Sequence, residues 1–408
     1  MKVGFYGNAN NYPFMLALAL QKLGHEVLFI ISSRDALNRP EFRYDHITLP
    51  YPPWIHDLSS RLRWHFLVPG SGRSRVWSLL NGCDFAVLNE EGPALAGGLR
   101  IPYVALLTGS DLGVFADPAK IDTLKPQLIQ RPRWISVACR WLFPSGLIRA
   151  WLTSPQRSGI ANARLVTYFA RGLIPDGDRL LDEIGVSDAR RVFLLMADLP
   201  LNPYFPPPQN SPVRIFCLAR LTWKNEPGSG LVALDYKGSD LMIRGLALFW
   251  KKHQVRLDIR LARKGRHVAE TEQLAHELGI ADQVTWLKEL AQSQVRDEYK
   301  GADIIFDQLA DGVVAMGGLE AMATGRPLIA NARPEIFDPA VGEPSPVCQA
   351  RTAEEVCRQL ERLVPSRDER LRAGLAGRKY VERHFSTEAA AGRLMDRISA
   401  IVASGRNP

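Results

Sequence analysis

Residues 302–330 read ADIIFDQLADGVVAMGGLEAMATGRPLIA, and the pattern of this stretch decides the fold. The apolar run Ile304–Phe306 has the composition of a buried strand and is followed by the polar residues Asp307 and Gln308. A loop of small residues then leads into a short helical segment with one carboxylate, Glu320, near its start, and a second apolar strand follows. Strand, glycine-rich loop and helix in this order are typical of an α/β protein.

A segment of this kind can hold a nucleotide diphosphate. The first N–H groups of a helix lack partners within the helix and carry partial positive charge, so they attract phosphate. Met316, Gly317 and Gly318 would present these N–H groups. Glu320 can accept hydrogen bonds from the ribose hydroxyls, although it could also serve only to favour the positive end of the helix. The stretch therefore predicts a nucleotide-linked substrate.

Two cations precede this segment in positions that suit a diphosphate leaving group. Arg220 follows a predicted strand in the string LAR, and Lys237 lies in YKGSD just before a predicted helix. Fixed cations stabilise the charge that develops on a departing phosphate oxygen. We expect Arg220 and Lys237 to act in this way; the alternative is a pair of surface cations. Asp307 is a candidate donor contact or a residue that only ends its strand.

The beginning of the chain repeats the α/β pattern. Residues 2–6 form an apolar strand, a turn of small and polar residues follows, and Pro13 begins a helix that ends at Gly24. Residues 25–31 are a second strand, so a parallel sheet is predicted with the turn at its carboxyl edge. The candidate acceptor-side residues in this turn are Gly7, Asn8 and Asn10. Both Asn8 and Asn10, like Asn11, could instead be turn residues alone.

The order of elements predicts two doubly wound domains. We expect a first domain over residues 1–198, a proline-rich linker over 199–212 and a second domain over 213–385. A final helix at 386–404, after a break near His384 and Ser386, is expected to join the first domain.

Composition excludes several classes of protein. The chain has 408 residues, 46% hydrophobic and 23% charged, which is typical of a soluble globular protein. No run of 18 or more apolar residues occurs, so we expect no transmembrane helix, and residues 1–8 lack the apolar region expected of a secretory signal. Five scattered cysteines and eight histidines show no metal-ligand spacing, so neither a metal nor another cofactor is predicted. Nothing in the sequence matches a nucleic-acid-binding motif, so no nucleic acid partner is expected.

The net charge of +8 is unevenly distributed. No acidic residue lies between Asp122 and Asp176, and the segment from Arg131 to Arg157 mixes arginine with Trp134, Trp141 and Trp151. Two interpretations remain open: contact with an anionic membrane surface, or a core helix with a solvated basic face. The first favours a cytoplasmic protein at the inner face of the membrane.

The order LAR, KGSD, LGIADQVTWL, ADIIFDQL and LEAMATGRPLIA resembles the nucleotide-sugar half of the retaining family-4 glycosyltransferases (glycosyltransferases group 1). The resemblance covers most of residues 214–335 and extends weakly to the first domain. It implies the GT-B fold, in which two Rossmann-like domains face each other across a cleft. It also implies that Arg220 and Lys237 hold the donor diphosphate and that Glu320 holds the donor ribose.

The sequence departs from the family pattern in two places. The family commonly has two glutamates eight residues apart, the first touching the donor sugar, but the residue eight before Glu320 is Gly312. The family also often has a histidine where this chain has Thr108, in TGSDL, which leaves Asp111 as the nearest polar candidate on the acceptor side.

The resemblance implies an enzyme that transfers a sugar from a nucleotide-sugar to a glycan or lipid-linked acceptor with retention of configuration. Two alternatives are a glycosyltransferase-like scaffold without turnover and a nucleotide-sugar epimerase of GT-B fold.

Overall fold

The computed structural model of the chain describes residues 1–59, 71–120, 145–224, 235–310 and 312–404. The chain divides into two compact units. Unit 1 comprises Met1–Phe169, Pro175–Leu194 and Ala391–Pro408, and unit 2 comprises Ala170–Ile174 and Leu195–Ala390. The expected linker, 199–212, lies within unit 2.

Unit 1 is built on a parallel sheet of seven strands within the described residues, in the order β3-β2-β1-β4-β5-β6-β7. The strands are β1 Lys2–Tyr6, β2 Glu26–Ile31, β3 Ile55–Asp57, β4 Phe85–Leu88, β5 Tyr103–Leu106, β6 Leu165–Tyr168 and β7 Arg191–Phe193. The α-helices that begin in this unit are α1 Tyr12–Lys22, α2 Ser71–Leu80, α3 Ser110–Gly113, α4 Ser145–Ala161 and α5 Pro175–Ile184. The predicted β1-turn-α1-β2 opening is confirmed.

The core of unit 1 forms because its central strands are apolar on both faces, as in other buried parallel sheets. Phe5 of β1 pairs in register with Phe29 of β2, and their rings stack at 5.6 Å between centroids. Phe14 of α1 packs edge-on against Phe29 at 5.0 Å. These contacts hold helix α1 on one face of the sheet. The β1–α1 turn lies at the carboxyl edge of the sheet because it follows the end of β1.

Unit 2 has a second parallel sheet, with six strands in the described part of the chain, in the order β10-β9-β8-β11-β12-β13. The strands are β8 Val213–Cys217, β9 Leu257–Ala262, β10 Val284–Leu287, β11 Ile304–Phe306, β12 Leu328–Ala330 and β13 Cys348–Gln349. The helices are α6 Ser239–His253, α7 Val268–Glu277, α8 Gln292–Gly301, α9 Met316–Ala323, α10 Pro334–Val341, α11 Ala353–Leu363, α12 Arg367–His384 and α13 Thr387–Ser404. The last of these crosses from unit 2 into unit 1.

The core of unit 2 lies between the sheet and its helices. Ile215, Ile259 and Ile304, from three neighbouring strands, are almost fully buried in it. Helices α6 and α11 approach closely, because Gly245 has no side chain where a Cβ would stand 2.3 Å from Val356. The sheet order places the ends of β8 and β11, which carry the predicted donor residues, side by side.

The proline-rich segment 199–212 forms neither helix nor strand, as its composition predicts, but it is packed against unit 2. The Phe205 N–H donates to the Thr324 carbonyl, and the Asn210 amide donates to Asp303. The predicted break in the last helical segment is confirmed between α12 and α13. Among the described residues, no helix combines the length and apolarity needed to cross a membrane.

Candidate functional site

Lys237 is held in place by its backbone and its side chain. Its N–H donates to the Thr222 carbonyl at 2.7 Å, and its own carbonyl accepts from the Leu309 N–H at 2.9 Å. The ammonium Nζ donates to Oε1 of Gln308 at 2.8 Å, and the residue is only 9% exposed. The backbone of Lys237 is thus held by the loops that contain Thr222 and Leu309, and its ammonium is held at Gln308.

Burial lowers the pKa of Lys237 to about 8 because the charged ammonium loses water. The Asp307 carboxylate acts in the opposite direction, and the nearby Arg220 guanidinium lowers the pKa further. Arg220 itself is half-exposed, and its Nη2 donates to Oδ1 of Asp235 at 2.8 Å. The structure therefore brings Arg220, Lys237 and Asp307 within electrostatic reach of one another.

Asp307 lies just past β11 and faces the start of α9. Burial raises the pKa of its carboxyl, while Lys237 and the N–H groups of Gln308 and Gly318 oppose that rise. A Cβ on Gly318 would stand 2.9 Å from Oδ2 of Asp307, so the carboxylate lies close to the start of the helix. A phosphate at the start of α9 would meet the N–H groups of Met316, Gly317 and Gly318 close to the Asp307 carboxylate.

Glu320 is the fifth residue of α9, just beyond the first turn of the helix. A carboxylate there gains little from the helix dipole, whose effect is confined to the terminal turn. The residue is partly exposed.

Gly312 occupies a place where no side chain fits. A Cβ would stand 1.9 Å from the Asn331 carbonyl oxygen. Asn331 follows β12 and is buried; its amide donates to the Ala310 carbonyl at 2.6 Å, and its Oδ1 accepts from Gln349 at 2.7 Å. Sequence reasoning missed Asn331 and Gln349. The available signal for Asn331 was its place directly after the apolar strand β12, whereas Gln349 lies within β13.

In unit 1 the β1–α1 turn is held by its own side chains. Gly7 has φ +84°, and a Cβ there would meet the Asn89 carbonyl at 2.5 Å. Asn8 is buried, and its amide donates to Asn11 and to the Asn38 carbonyl. Asn10 is exposed in the left-handed region, at φ 52°. Asn8 therefore shapes the turn, whereas Asn10 lies at its surface.

Asp111 is buried at the start of α3, and its carboxylate accepts hydrogen bonds from N–H groups of the loop that contains it. It accepts from the backbone N–H groups of Thr108, Gly109 and Leu112 and from the Asn89 amide. Burial raises its pKa to about 6, against the effect of these donors. Both oxygens are engaged, so the residue fixes the TGSDL loop that follows β5.

Sequence reasoning also missed Glu90, which follows β4 with φ 53°. Its carboxylate accepts from the Asn8 N–H, the Ser32 hydroxyl and the Asn38 amide. Glu90 thus links three loops at the carboxyl edge of the first sheet. The string NEE directly after an apolar strand was the available signal.

The basic and aromatic segment from Arg131 to Arg157 lies mostly outside the described residues. In its described part, Trp151 is 62% exposed. Arg157 donates to the Ala116 carbonyl at 3.1 Å, so it helps to hold α4 on unit 1. The described ranges contain no cluster of histidine, cysteine and acidic side chains that could hold a metal ion.

The chain was compared with family models, curated proteins and solved structures. Residues 232–380 match the family model described as glycosyl transferases group 1. A search of curated proteins finds no match to the sequence.

Solved structures resemble the whole chain. A glycosyltransferase from Rickettsia africae has a TM-score of 0.61 at 13% identity, with 100% of this chain and 99% of that one covered. HepE from Anabaena, in complex with UDP and glucose, gives 0.59 at 12% identity over 98% and 99%. Sucrose-phosphate synthase from Thermosynechococcus elongatus gives 0.57 at 15% identity over 99% of each chain. The chain therefore has the GT-B fold, and its resemblance to the group 1 glycosyltransferases is confirmed by the family match over residues 232–380.

Proposed function

We propose that this protein is a glycosyltransferase that moves a sugar from a nucleotide-sugar to a glycan or lipid-linked acceptor with retention of configuration. The observation that carries the proposal is the convergence of Arg220 and Lys237 beside the β11–α9 loop. Lys237 and that loop lie in the region that matches the group 1 family model, and Arg220 precedes it. HepE, which has the same fold, is known in complex with UDP and glucose, which supports a nucleotide-sugar as donor.

Arg220 and Lys237 would stabilise the negative charge on the diphosphate as the bond to the sugar breaks. In the mechanism often given for such retaining enzymes, the acceptor attacks the face from which the diphosphate leaves. The donor phosphate then takes the acceptor proton, so a protein base is not required. Thr108 and the fully engaged Asp111 carboxylate are compatible with this route.

The acceptor-side residues would be Asn10 at the surface of its turn, with Gly7, Asn8 and Asp111 fixing the loops around it. Contact with an anionic membrane through Arg131 to Arg157, on the cytoplasmic side, is part of the same proposal and rests on the sequence pattern. It suits an acceptor that is attached to a lipid.

A thermal-shift screen tests donor binding. UDP, GDP, ADP and their sugar conjugates are added to the wild type and to Glu320→Ala. A ligand at about a hundredfold its dissociation constant adds roughly 2.7 kcal/mol of stability. We expect one nucleotide to raise Tm and Glu320→Ala to lose about tenfold in affinity for it, because a charged hydrogen bond to the ribose contributes about 1.5 kcal/mol or more.

Three outcomes of the screen and of turnover assays separate the alternatives. Binding without turnover of any acceptor favours the scaffold, an alternative that Gly312 and Thr108 motivate. Interconversion of donor sugars without acceptor favours the epimerase. A nucleotide that binds the wild type and Glu320→Ala equally contradicts the assigned ribose contact.

Donor affinity is expected to depend on the charge of Lys237. Below about pH 8 the Lys237 side chain of the free protein is a charged ammonium, so the affinity for the donor does not change with pH. Above about pH 8 this side chain loses its proton. A bound diphosphate raises the pKa of this lysine, so binding at higher pH must take up a proton. Affinity then falls by up to about tenfold per pH unit. Calorimetry between about pH 7 and about pH 9 measures this, and Lys237→Met should show a flat profile in the same range.

A further inference from the structure

The loop that carries Arg220 is fastened to the next loop of the sheet by one buried side chain. His267, 4% exposed, stands just before α7. Its ring Nδ1 accepts from the Trp223 N–H at 3.0 Å and from the Lys224 N–H at 3.3 Å. A ring nitrogen that accepts two N–H groups carries no proton, so the imidazole is neutral with its proton on Nε2.

The backbone around His267 runs along the same loop. The His267 N–H donates to the Leu221 carbonyl at 2.9 Å, and the Leu221 N–H donates to the Lys264 carbonyl at 2.7 Å. Gly265, at φ 124°, allows this approach, because a Cβ there would stand 2.6 Å from the Leu221 backbone. The indole of Trp223 donates to the Thr271 hydroxyl at 3.0 Å, which ties the same loop to α7.

These contacts reach the two cations of the proposed site. Residues 221–224 directly follow Arg220, and the Thr222 carbonyl between them accepts the Lys237 N–H. The Lys237 carbonyl in turn accepts from Leu309, beside Gln308. Displacement of residues 221–224 would therefore move Arg220 and, at the same time, the Thr222 carbonyl that holds the Lys237 backbone.

We infer that His267 is a positioning residue for sugar transfer: its unprotonated Nδ1 holds residues 221–224, and through them Arg220 and Lys237, in register at the donor diphosphate. The inference rests on the proposed function. His267 is not assigned a contact with a reacting atom. Its Nδ1 takes the place of water as the acceptor for the Trp223 and Lys224 N–H groups, and so holds an irregular stretch of backbone in one position.

The test compares substitutions that keep or remove an acceptor at the position of Nδ1. The Oδ1 atom of asparagine can reach that position, whereas leucine has no acceptor and glutamine places its amide farther out. We expect His267→Leu and His267→Gln to lower kcat/KM for the nucleotide-sugar by about ten- to a hundredfold, since two hydrogen bonds are lost. His267→Asn should stay within about threefold of the wild type.

Acceptor KM should change little in all three variants. His276→Leu, an exposed position on the same helix, is the matched control and should behave as the wild type. If His267→Leu does not fold, the contrast between His267→Asn and His267→Gln decides. Equal loss in those two variants, or wild-type kinetics in His267→Leu, overturns the inference. A wild type that neither binds nor turns over any nucleotide-sugar overturns the proposed function instead.

Discussion

Replacing either cation of the proposed diphosphate site is expected to lower kcat/KM for sugar transfer by about a hundred- to a thousandfold. Arg220→Ala is the cleaner of the two changes. Its guanidinium is half-exposed and pairs with Asp235 at 2.8 Å, so its loss leaves no buried group without a partner. Tm should stay near that of the wild type while turnover falls.

Lys237→Met keeps the length of the side chain and removes its charge. It also leaves Oε1 of the buried Gln308 without the ammonium that donates to it at 2.8 Å, which costs about 1–3 kcal/mol of stability. Turnover and stability should therefore fall together in this variant. Lys252→Met is the matched control, because that lysine is exposed and pairs at the surface with Glu361.

Steady-state kinetics with saturating acceptor and scanning calorimetry on each variant give both quantities. In the double variant, losses that are smaller than the sum of the single effects would show that the two cations act on one diphosphate. Wild-type kcat/KM in Arg220→Ala would remove the main argument for the site.

Gly312→Glu, which would restore the glutamate that the resemblance leads one to expect, should abolish donor turnover and destabilise unit 2 by about 3 kcal/mol or more. The reason is steric and begins at the first atom of the side chain, since a Cβ would stand 1.9 Å from the Asn331 carbonyl oxygen. That oxygen cannot move freely, because the Asn331 amide and Oδ1 are bound to Ala310 and Gln349.

Gly312→Ala separates crowding from charge and should lose nearly as much stability as the glutamate variant. Gly392→Ala, in α13, is the control: a Cβ there meets nothing within 4 Å, and alanine in a helix is favoured by up to about 1 kcal/mol over glycine. Thermal unfolding and donor binding are measured for all three. A Gly312→Glu protein with wild-type Tm and higher activity would contradict this account of the site.

The sequence predicted the parts of the site that local pattern determines. Arg220 and Lys237 could be recognised because each stands at a strand-to-helix connection, and such connections meet at the carboxyl edge of a parallel sheet. Apolar runs identified β1, β2, β8 and β11 for the same reason, since strands buried on both faces are continuously hydrophobic. Glu320 was recognised as a candidate near the start of a helix, and it is the fifth residue of α9.

Local pattern could not show which polar groups are already occupied. Asp111 is a polar candidate in TGSDL by sequence, and the structure adds that its oxygens accept from N–H groups of that loop and from the Asn89 amide, 22 residues away. His267 lies 44 residues from Trp223 and carries no motif. Gly312 looked like a missing glutamate, whereas the structure shows a backbone contact with Asn331.

The sequence by itself therefore determined the α/β class and the order of the elements, and it proposed the two cations, because each follows from short-range periodicity and residue type. The tertiary structure decided which carboxylates are engaged, why residue 312 is glycine and what fastens the Arg220 loop. Those features depend on hydrogen bonds and close contacts between segments that only the folded chain brings together.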